Sequence, residues 1–265
     1  MPEGHIVGVD YDMALSDLIR DQFTFQAAAY ANAQPIRNEE ILQRIVAAAD
    51  PQVDDEALDV ASGPGILTCA LAAKVLHATG IDLTPAMLAQ SRKLQAGQGL
   101  MNLTWVEGDV AHLPFSDASF TLVTCRYAFH HFSDPLTVLL EMKRVCKSGG
   151  RILVVDTAPA REKADAFNQM EKLRDNSHVR ALPVEEMVAV FESAGLAEPK
   201  VETLRMAGDL NSLLARSLCQ PGDEERCRCL YEESLGEDRI DMQPRREGDN
   251  ILYAFPVALF VAPRS

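Results

Sequence analysis

The chain has 265 residues, of which 47% are hydrophobic and 24% are charged, a balance typical of a folded globular protein. Its formal net charge is −14 at pH 7, and this charge repels nucleic-acid phosphates and anionic lipid headgroups over most of the surface. The composition therefore disfavours nucleic acid and membranes as partners.

No stretch approaches the roughly 18 consecutive apolar residues that cross a bilayer. Residues Met1 to His5 have neither the basic nor the apolar region of a signal peptide. The six cysteines show no disulfide framework and no spacing that suits a metal. We therefore expect reduced thiols, no metal site and a cytoplasmic location, and leave a homo-oligomer open.

The first elements are expected to be helices. Apolar residues recur at helical spacing around Leu15, Ile19 and Phe23, and again around Ile41 and Ile45. We predict an N-terminal helical cap, or lid, over residues 1–50, followed by a single catalytic domain over 51–265.

From residue 57 the pattern changes to short apolar runs that alternate with helical stretches, which predicts βαβ units and a parallel sheet. Helices should begin at Pro85 and Pro135, and the second of these should close at Gly149 and Gly150. The predicted strands lie near 57–61, 78–82, 103–107, 120–125 and 151–156.

The remainder of the chain is less regular. Helices are expected near 164–174 and 185–194, a strand near 200–206, a helical pair over 209–236, and a last strand over 257–262. Residues 157–182 and 207–249 are interpreted as substrate-side insertions. The predicted fold is α/β: a doubly wound Rossmann-like sheet, mostly parallel with an antiparallel last strand, and helices on both faces.

The first chemical signal is the segment from Ala57 to Gly65, in which a strand runs into a Gly-x-Gly turn and then a helix. Glycine leaves no Cβ in the way of a ligand, and the helix N-terminus offers unpaired N–H groups. Asp82 ends the next strand, where a carboxylate can accept both ribose hydroxyls of a nucleoside. Thr68 stands where a dinucleotide fingerprint has its third glycine, which disfavours NAD.

At this point the sequence resembles the class I S-adenosylmethionine-dependent methyltransferases, in particular the ubiquinone-biosynthesis-like, type 11 group. The motifs that carry the resemblance span roughly residues 20–160 and occur in the family's order. They are Asp59 to Gly65, Gly80-Ile-Asp82, Glu107 to Phe115, and Cys146 to Leu153.

The resemblance implies S-adenosylmethionine as cofactor and S-adenosylhomocysteine as product, and it implies the residues that hold the cofactor. Several alternatives stay open: the aspartates could cap turns, Met87 and Tyr30 could fill the core, and Arg126 could form a surface ion pair. The implied cofactor residues are Asp59, Ala61, Gly63 and Gly65 at the turn, Asp82 and Leu83 at the ribose, Met87, Asp109 and Val110 at the adenine, Arg126 at the methionine carboxylate or a substrate anion, and Tyr30 in the lid.

Catalytic candidates follow the fourth and fifth strands. His130 and His131 are candidate bases because histidine has a pKa suited to proton removal near neutral pH, and His131 is preferred. Asp156 could orient a histidine or bind a polar acceptor, as a comparable pair does in sugar-hydroxyl methyltransferases of this superfamily. In each case a structural role is the alternative.

The expected function is methyl transfer to an oxygen, carbon or nitrogen of a small organic acceptor. Nucleic-acid amino-group methyltransferases carry Asn/Asp-Pro-Pro-aromatic after the fourth strand, whereas this chain has Arg-Tyr-Ala-Phe at 126–129. Two alternatives remain: a cofactor-binding enzyme of the same fold that catalyses cyclisation or elimination, and a non-catalytic nucleoside-binding subunit.

Overall fold

The structure, a computed structural model, describes residues 7–265. The sequence-based expectation about a signal peptide rests on Met1 to His5, and these residues lie outside the described part of the chain. The chain opens with two helices, α1 (Val7–Asn32) and α2 (Glu39–Ala49). Helix α2 starts where the Asn38 side chain accepts a hydrogen bond from the Ile41 amide at 3.0 Å.

The sheet and its helices follow in alternation. The strands are β1 (Glu56–Val60), β2 (His77–Asp82), β3 (Leu103–Glu107), β4 (Phe120–Arg126), β5 (Cys146–Thr157), β6 (Lys200–Asp209), β7 (Arg245–Glu247) and β8 (Asn250–Pro263). The helices are α3 (Ile66–Ala72), α4 (Pro85–Gln98), α5 (Pro135–Val145), α6 (Ala164–Arg174), α7 (Val184–Ser193), α8 (Leu210–Ala215) and α9 (Asp223–Glu233).

The strand order is β3-β2-β1-β4-β5-β8-β6, and β7 pairs with β8 at one end. The first five strands are parallel to one another, whereas β8 runs antiparallel to β5 and β6. The predicted fold class, including the antiparallel last strand, is confirmed. Helix α1 packs against α4, and α6 packs against α9 of the later helical pair.

Both faces of the sheet are buried, as a doubly wound fold requires. Alternate residues of β5 join different hydrophobic clusters: Leu153 and Val155 pack with α2, α3 and α6, while Ile152 and Val154 pack with α5 and α7. This two-fold alternation fixes the register, since a slip of one residue would exchange the two faces.

One local prediction is wrong. Gly149 and Gly150 do not close α5, because that helix ends at Val145 and the chain enters β5 directly at Cys146. Gly149 instead has a left-handed φ of +80°, and β4 and β5 shift register nearby. A Cβ on Gly150 would lie 2.7 Å from the Thr121 carbonyl oxygen, so close backbone approach requires glycine there.

No helix within residues 7–265 has the length and apolarity needed to span a membrane.

A cavity and an inner chamber at the carboxyl ends of the strands

A cavity with a volume of about 360 Å³ opens beyond the carboxyl ends of β1, β2 and β4. We call it the main cavity; its wall includes Ala61, Gly63, Asp82, Met87, Asp109 and Arg126. The strands β2 and β3 lie on one side of β1 and the strands β4 and β5 on the other, so the strand order reverses at this position, which is the topological switch point of the sheet. Ligands of open α/β sheets bind at such a point.

The two glycines of the turn after β1 have different surroundings. A Cβ on Gly63 would meet no atom within 4 Å, since this residue borders the main cavity. A Cβ on Gly65 would lie 2.5 Å from the Trp105 ring and 2.7 Å from Ser91 Cβ. Gly63 therefore leaves room for a ligand, whereas Gly65, which is not in the cavity wall, makes room for the packing of Trp105.

Asp82 holds the turn from the neighbouring strand. Its Oδ2 accepts a hydrogen bond from the Gly63 amide at 2.7 Å, and its Oδ1 accepts one from the Thr84 amide at 2.9 Å. Burial raises the pKa of this carboxyl, and the two backbone hydrogen bonds oppose the rise. Each carboxylate oxygen keeps a second lone pair that can accept from a ligand hydroxyl.

Asp59 lies beneath the turn and is buried. Its carboxylate accepts hydrogen bonds from the Thr68 hydroxyl at 2.6 Å and the Thr124 hydroxyl at 2.8 Å. Burial raises the pKa of Asp59 to about 6, against the lowering effect of these two hydroxyls. Thr68, which replaces the third glycine of a dinucleotide motif, thus ties α3 to β1.

The remaining cofactor candidates also border the main cavity. Asp109 is exposed and accepts a hydrogen bond from the Ala111 amide at 2.9 Å, so it also shapes the turn after β3. Leu83, Met87 and Val110 line the same cavity, as does Tyr30 of α1.

Arg126 ends β4 inside the main cavity. Its Nη2 donates to the Ile36 carbonyl oxygen at 2.7 Å, its Nε has no partner, and its guanidinium lies 4.7 Å above the centroid of the Tyr127 ring. No carboxylate of the described chain lies within ion-pair distance of this guanidinium. The surface ion pair that the sequence left open is therefore not formed.

A second, smaller cavity of about 60 Å³ adjoins the first. We call it the inner chamber. Five residues border both spaces and form the junction between them: Phe23, Tyr30, Ile36, Tyr127 and His131. The inner chamber is also lined by Gln26, His130, Thr157, Arg174, Arg216 and Phe255.

His130 and Asp156 form a buried pair beside the inner chamber. His130 Nδ1 lies 2.5 Å from Asp156 Oδ1, and the His130 amide donates to Asp156 Oδ2 at 3.0 Å. Burial lowers the pKa of His130, whereas the charge of Asp156 and this hydrogen bond raise it. The upward effects together outweigh burial, so the net shift of the pKa is upward. A carboxylate on Nδ1 leaves the Nε2 lone pair of the neutral ring available as a base.

His131 has a different environment at the junction. Its Nδ1 lies 3.0 Å from the Ser177 carbonyl oxygen, which can only accept, so Nδ1 carries the proton and Nε2 the lone pair. Burial, together with the charge of His130, lowers the pKa of His131 to about 4. The ring stacks edge-on against Phe23 with centroids 5.0 Å apart. His131 is therefore neutral near pH 7 and a weaker base than its neighbour.

The structure adds residues that sequence reasoning did not select. Tyr127 holds an unusual left-handed φ of +57°, and His178 completes a cluster with the two other histidines. Gln22 and Gln26 are buried with unpaired amide nitrogens. The glutamines carried a signal, since they are four residues apart and both interrupt the apolar face of α1. His178 lies in a polar loop of the later part of the chain, where contacts to an acceptor are expected, whereas Tyr127 carried no signal.

Comparisons with known proteins give a consistent assignment. Residues 58–154 match the methyltransferase domain family. The chain is 32% identical over 206 residues to the uncharacterized methyltransferase YcgJ of Bacillus subtilis, which covers 77% of this chain and 81% of that protein. The crystal structure of YcgJ superposes with a TM-score of 0.78 at 26% identity, covering 85% of this chain and 99% of that one.

A demethylmenaquinone methyltransferase of Deinococcus radiodurans is 38% identical over 104 residues, which are 38% of this chain and 43% of that protein. The similarity to YcgJ extends over most of both chains, and the matched region contains the turn, the strand-end acids and the sheet that surround the main cavity. The chain therefore belongs to the class I S-adenosylmethionine-dependent methyltransferases of the type 11 group.

Proposed function

We propose that this enzyme transfers a methyl group from S-adenosylmethionine in the main cavity to a small organic acceptor in the inner chamber. The observation that carries the proposal is the junction between the two spaces, because it lets two ligands meet end to end. The base candidate His130 borders only the inner chamber, which is the side where an acceptor proton has to be removed.

The main cavity suits this cofactor in size and charge. Its volume of about 360 Å³ falls in the range of roughly 300–1,000 Å³ that is usual for small-ligand sites. Its wall contains four aspartates and one arginine, with no lysine. Such a wall favours a ligand that is cationic overall and carries one carboxylate, as S-adenosylmethionine does.

Individual residues would then take distinct roles. The Asp82 carboxylate would accept from the ribose hydroxyls, and Gly63 would give the ligand room beside the turn. Arg126, which has no acid partner, would bind the carboxylate of the methionine tail. Asp109 would accept from the adenine amino group, with Met87 and Val110 packed against the ring. Gly65 and Asp59 would support the turn from behind.

When bound, S-adenosylmethionine supplies a methyl group on a positively charged sulfur, which is open to in-line displacement. The protein then has to hold the acceptor close and aligned, and to exclude water from the junction. Phe23, Ile36 and Tyr127 provide an apolar and aromatic surface there. Tyr30 and Phe23 lie on α1, so this helix would cover the transfer site as a lid.

Proton removal would fall to His130 when the acceptor is a hydroxyl or another acidic group. Asp156 would fix the ring and its tautomer and would stabilise the protonated form. His131, neutral and hydrogen-bonded to the Ser177 carbonyl, would shape the junction and accept a hydrogen bond through Nε2. This assignment favours His130, whereas the sequence alone favoured His131.

The partial relatives support a small-molecule acceptor, since their names include a demethylmenaquinone methyltransferase. A cytoplasmic location stays a prediction of the sequence.

The proposal can be tested by calorimetry and mass spectrometry. Titration of the purified protein with S-adenosylmethionine and with S-adenosylhomocysteine should release or absorb heat with one site per chain. Incubation with a methyl-deuterated donor and a metabolite extract should yield S-adenosylhomocysteine and a deuterium-labelled product. Product formed without donor consumption would indicate cyclisation or elimination instead, and binding without any product would indicate a non-catalytic subunit.

A pair of glycine variants should separate ligand contact from packing. Gly63→Ala adds a methyl group beside the cavity and should weaken cofactor binding, with a stability cost of about 1–2 kcal/mol for its left-handed φ. Gly65→Ala, which collides with Trp105, should add a further 1–3 kcal/mol, roughly, for overpacking. Denaturant unfolding and calorimetry on both variants measure the two effects. If both variants lose the same cofactor affinity once the fraction of folded protein is taken into account, the two glycines do not have the different roles assigned to them.

A further inference from the structure

The inner chamber contains charged groups that the proposed methyl transfer does not use. It is bordered by two arginines, Arg174 near the end of α6 and Arg216 just after α8. Both come from the segments after residue 157, which the methyltransferase domain match over 58–154 does not cover. What these two cations bind therefore bears on the acceptor of this particular chain.

The charge of Arg174 is already balanced. Its Nε donates to Glu171 Oε1 at 2.7 Å, its Nη2 pairs with the other oxygen of the same carboxylate, and Asp175 lies 4.0 Å from Nη1. Glu171 and Asp175 are both buried. This cluster forms a closed ion-pair network inside the protein and has little need of a further anion.

Arg216 has no such balance. Its Nη1 donates to the Ser212 carbonyl oxygen at 2.8 Å, and its Nη2 lies 3.4 Å from the Tyr253 hydroxyl. Among the side chains of residues 15–265, no carboxylate is found within ion-pair distance of Arg216. Its guanidinium is half-buried and borders the chamber. Asp209 is close enough to interact electrostatically with Arg216 but forms no ion pair with it, so the guanidinium lacks a direct counter-ion.

The groups around Arg216 are also donors. Gln26, buried in the chamber wall, has an amide nitrogen without a partner. Tyr30 lies at the junction; burial raises its pKa to about 12, while the charges of Arg126, Arg216 and Arg174 oppose the rise. Three guanidinium groups are thus near one hydroxyl. The unpaired amide nitrogen of Gln26 and the guanidinium of Arg216, which has no carboxylate partner, together favour a ligand group that accepts hydrogen bonds and is negative.

We propose that the acceptor substrate carries a carboxylate, which binds to Arg216 in the inner chamber and orients the nucleophile toward the junction. The proposal rests on the function proposed above, because it assumes that the acceptor occupies this chamber. A guanidinium presents parallel N–H groups that match a carboxylate in a two-pronged arrangement, so one anchor can fix both position and orientation.

The neighbouring acids favour a carboxylate over a phosphate. Glu171 and Asp175 border the chamber, and a phosphate monoester near pH 7 carries more negative charge than a carboxylate. Its repulsion by these two acids would be larger, while Arg216 supplies only one unbalanced positive charge. Phe23, Tyr127 and Phe255 provide aromatic walls around the remaining part of the molecule, so small aromatic acids are suitable probes.

The test compares acids with their neutral amides. Benzoate and benzamide, and phenylacetate and phenylacetamide, are titrated by ligand-observed NMR with and without S-adenosylhomocysteine, and phenyl phosphate serves as the dianion. At least one carboxylate should bind at least tenfold more tightly than its amide. Arg216→Gln should abolish this difference without changing the affinity for the amide or for S-adenosylhomocysteine, and Arg216→Lys should restore part of it.

Arg226→Gln is the matched control, because Arg226 is an exposed arginine of the same region that pairs with Asp223. It should leave the acid-to-amide ratio unchanged. The proposal is overturned if no carboxylate binds better than its amide, if phenyl phosphate binds best, or if Arg216→Gln lowers acid and amide affinity alike. Failure of S-adenosylhomocysteine to bind the wild type would contradict the proposed function instead, since the acid-to-amide ratio is also measured without it.

Discussion

Replacing Asp82 with alanine should lower the affinity for S-adenosylmethionine and S-adenosylhomocysteine by about 10²- to 10⁴-fold. Two hydrogen bonds from ribose hydroxyls to a charged carboxylate would be lost, and each bond to a charged group contributes roughly 1.5–3 kcal/mol. The variant also frees the Gly63 amide, which Asp82 holds at 2.7 Å, so the turn beside the ligand would be less ordered. Isothermal titration calorimetry with S-adenosylhomocysteine measures the loss directly.

Glu107→Gln is the matched control for this variant. Glu107 pairs in register with Asp82 at the end of the adjacent strand, but it is exposed and is absent from the cavity wall. The Glu107→Gln variant should bind S-adenosylmethionine and S-adenosylhomocysteine with the affinity of the wild type. Thermal unfolding of Asp82→Ala shows whether the fold persists. A folded Asp82→Ala variant with unchanged affinity would remove this carboxylate from the cofactor site.

Much of the main cavity could be predicted from the sequence because its parts are local. The strand, the turn and the following helix are contiguous from Glu56 to Ala72, and Asp82 ends the next strand. In a parallel sheet the carboxyl ends of neighbouring strands meet at one edge, so these residues have to converge once the fold class is known. The pairing of His130 with Asp156 follows similarly, since β4 and β5 are adjacent.

The sequence could not distinguish the roles of Gly63 and Gly65, although they are two positions apart. The difference depends on Trp105, a residue of β3 that reaches the turn only after two further strands have been placed. Gly149 was misinterpreted for a related reason: a glycine after a helix resembles a helix end, while the register shift that requires it is a property of two paired strands.

The inner chamber was beyond prediction because its wall combines distant segments. Gln26 comes from α1, Arg174 from α6, Arg216 from the end of α8 and Phe255 from β8. Their relative positions depend on how the later helices pack on the antiparallel strands, and no local pattern encodes this. The methyltransferase motifs describe only the cofactor side, so acceptor specificity has to be sought in the part of the chain that the motifs do not cover.

His130→Ala should lower kcat by about 10²- to 10⁴-fold with an acceptor whose proton must be removed, the usual contribution of a positioned base. Asp156→Asn should also lower kcat, since Asp156 acts through His130 as a positioning residue. His77→Ala is the matched control: His77 begins β2 at the opposite end of the sheet and contacts Thr104 at 2.9 Å. It should keep wild-type kcat.

The pH dependence separates a base from a structural histidine. A base acts when unprotonated, so kcat/KM should rise with pH through the pKa of His130, which Asp156, Glu171 and Asp175 hold above 6.5 against the effect of burial. Asp156→Asn removes the nearest negative charge, lowers that pKa, and should move the rising limb to lower pH. His131→Asn, which keeps a donor for the Ser177 carbonyl, should leave the limb in place because His131, with a pKa of about 4, is already neutral there. If His131→Asn removes the limb and Asp156→Asn does not shift it, the proton acceptor is His131, and His130 and Asp156 serve the fold.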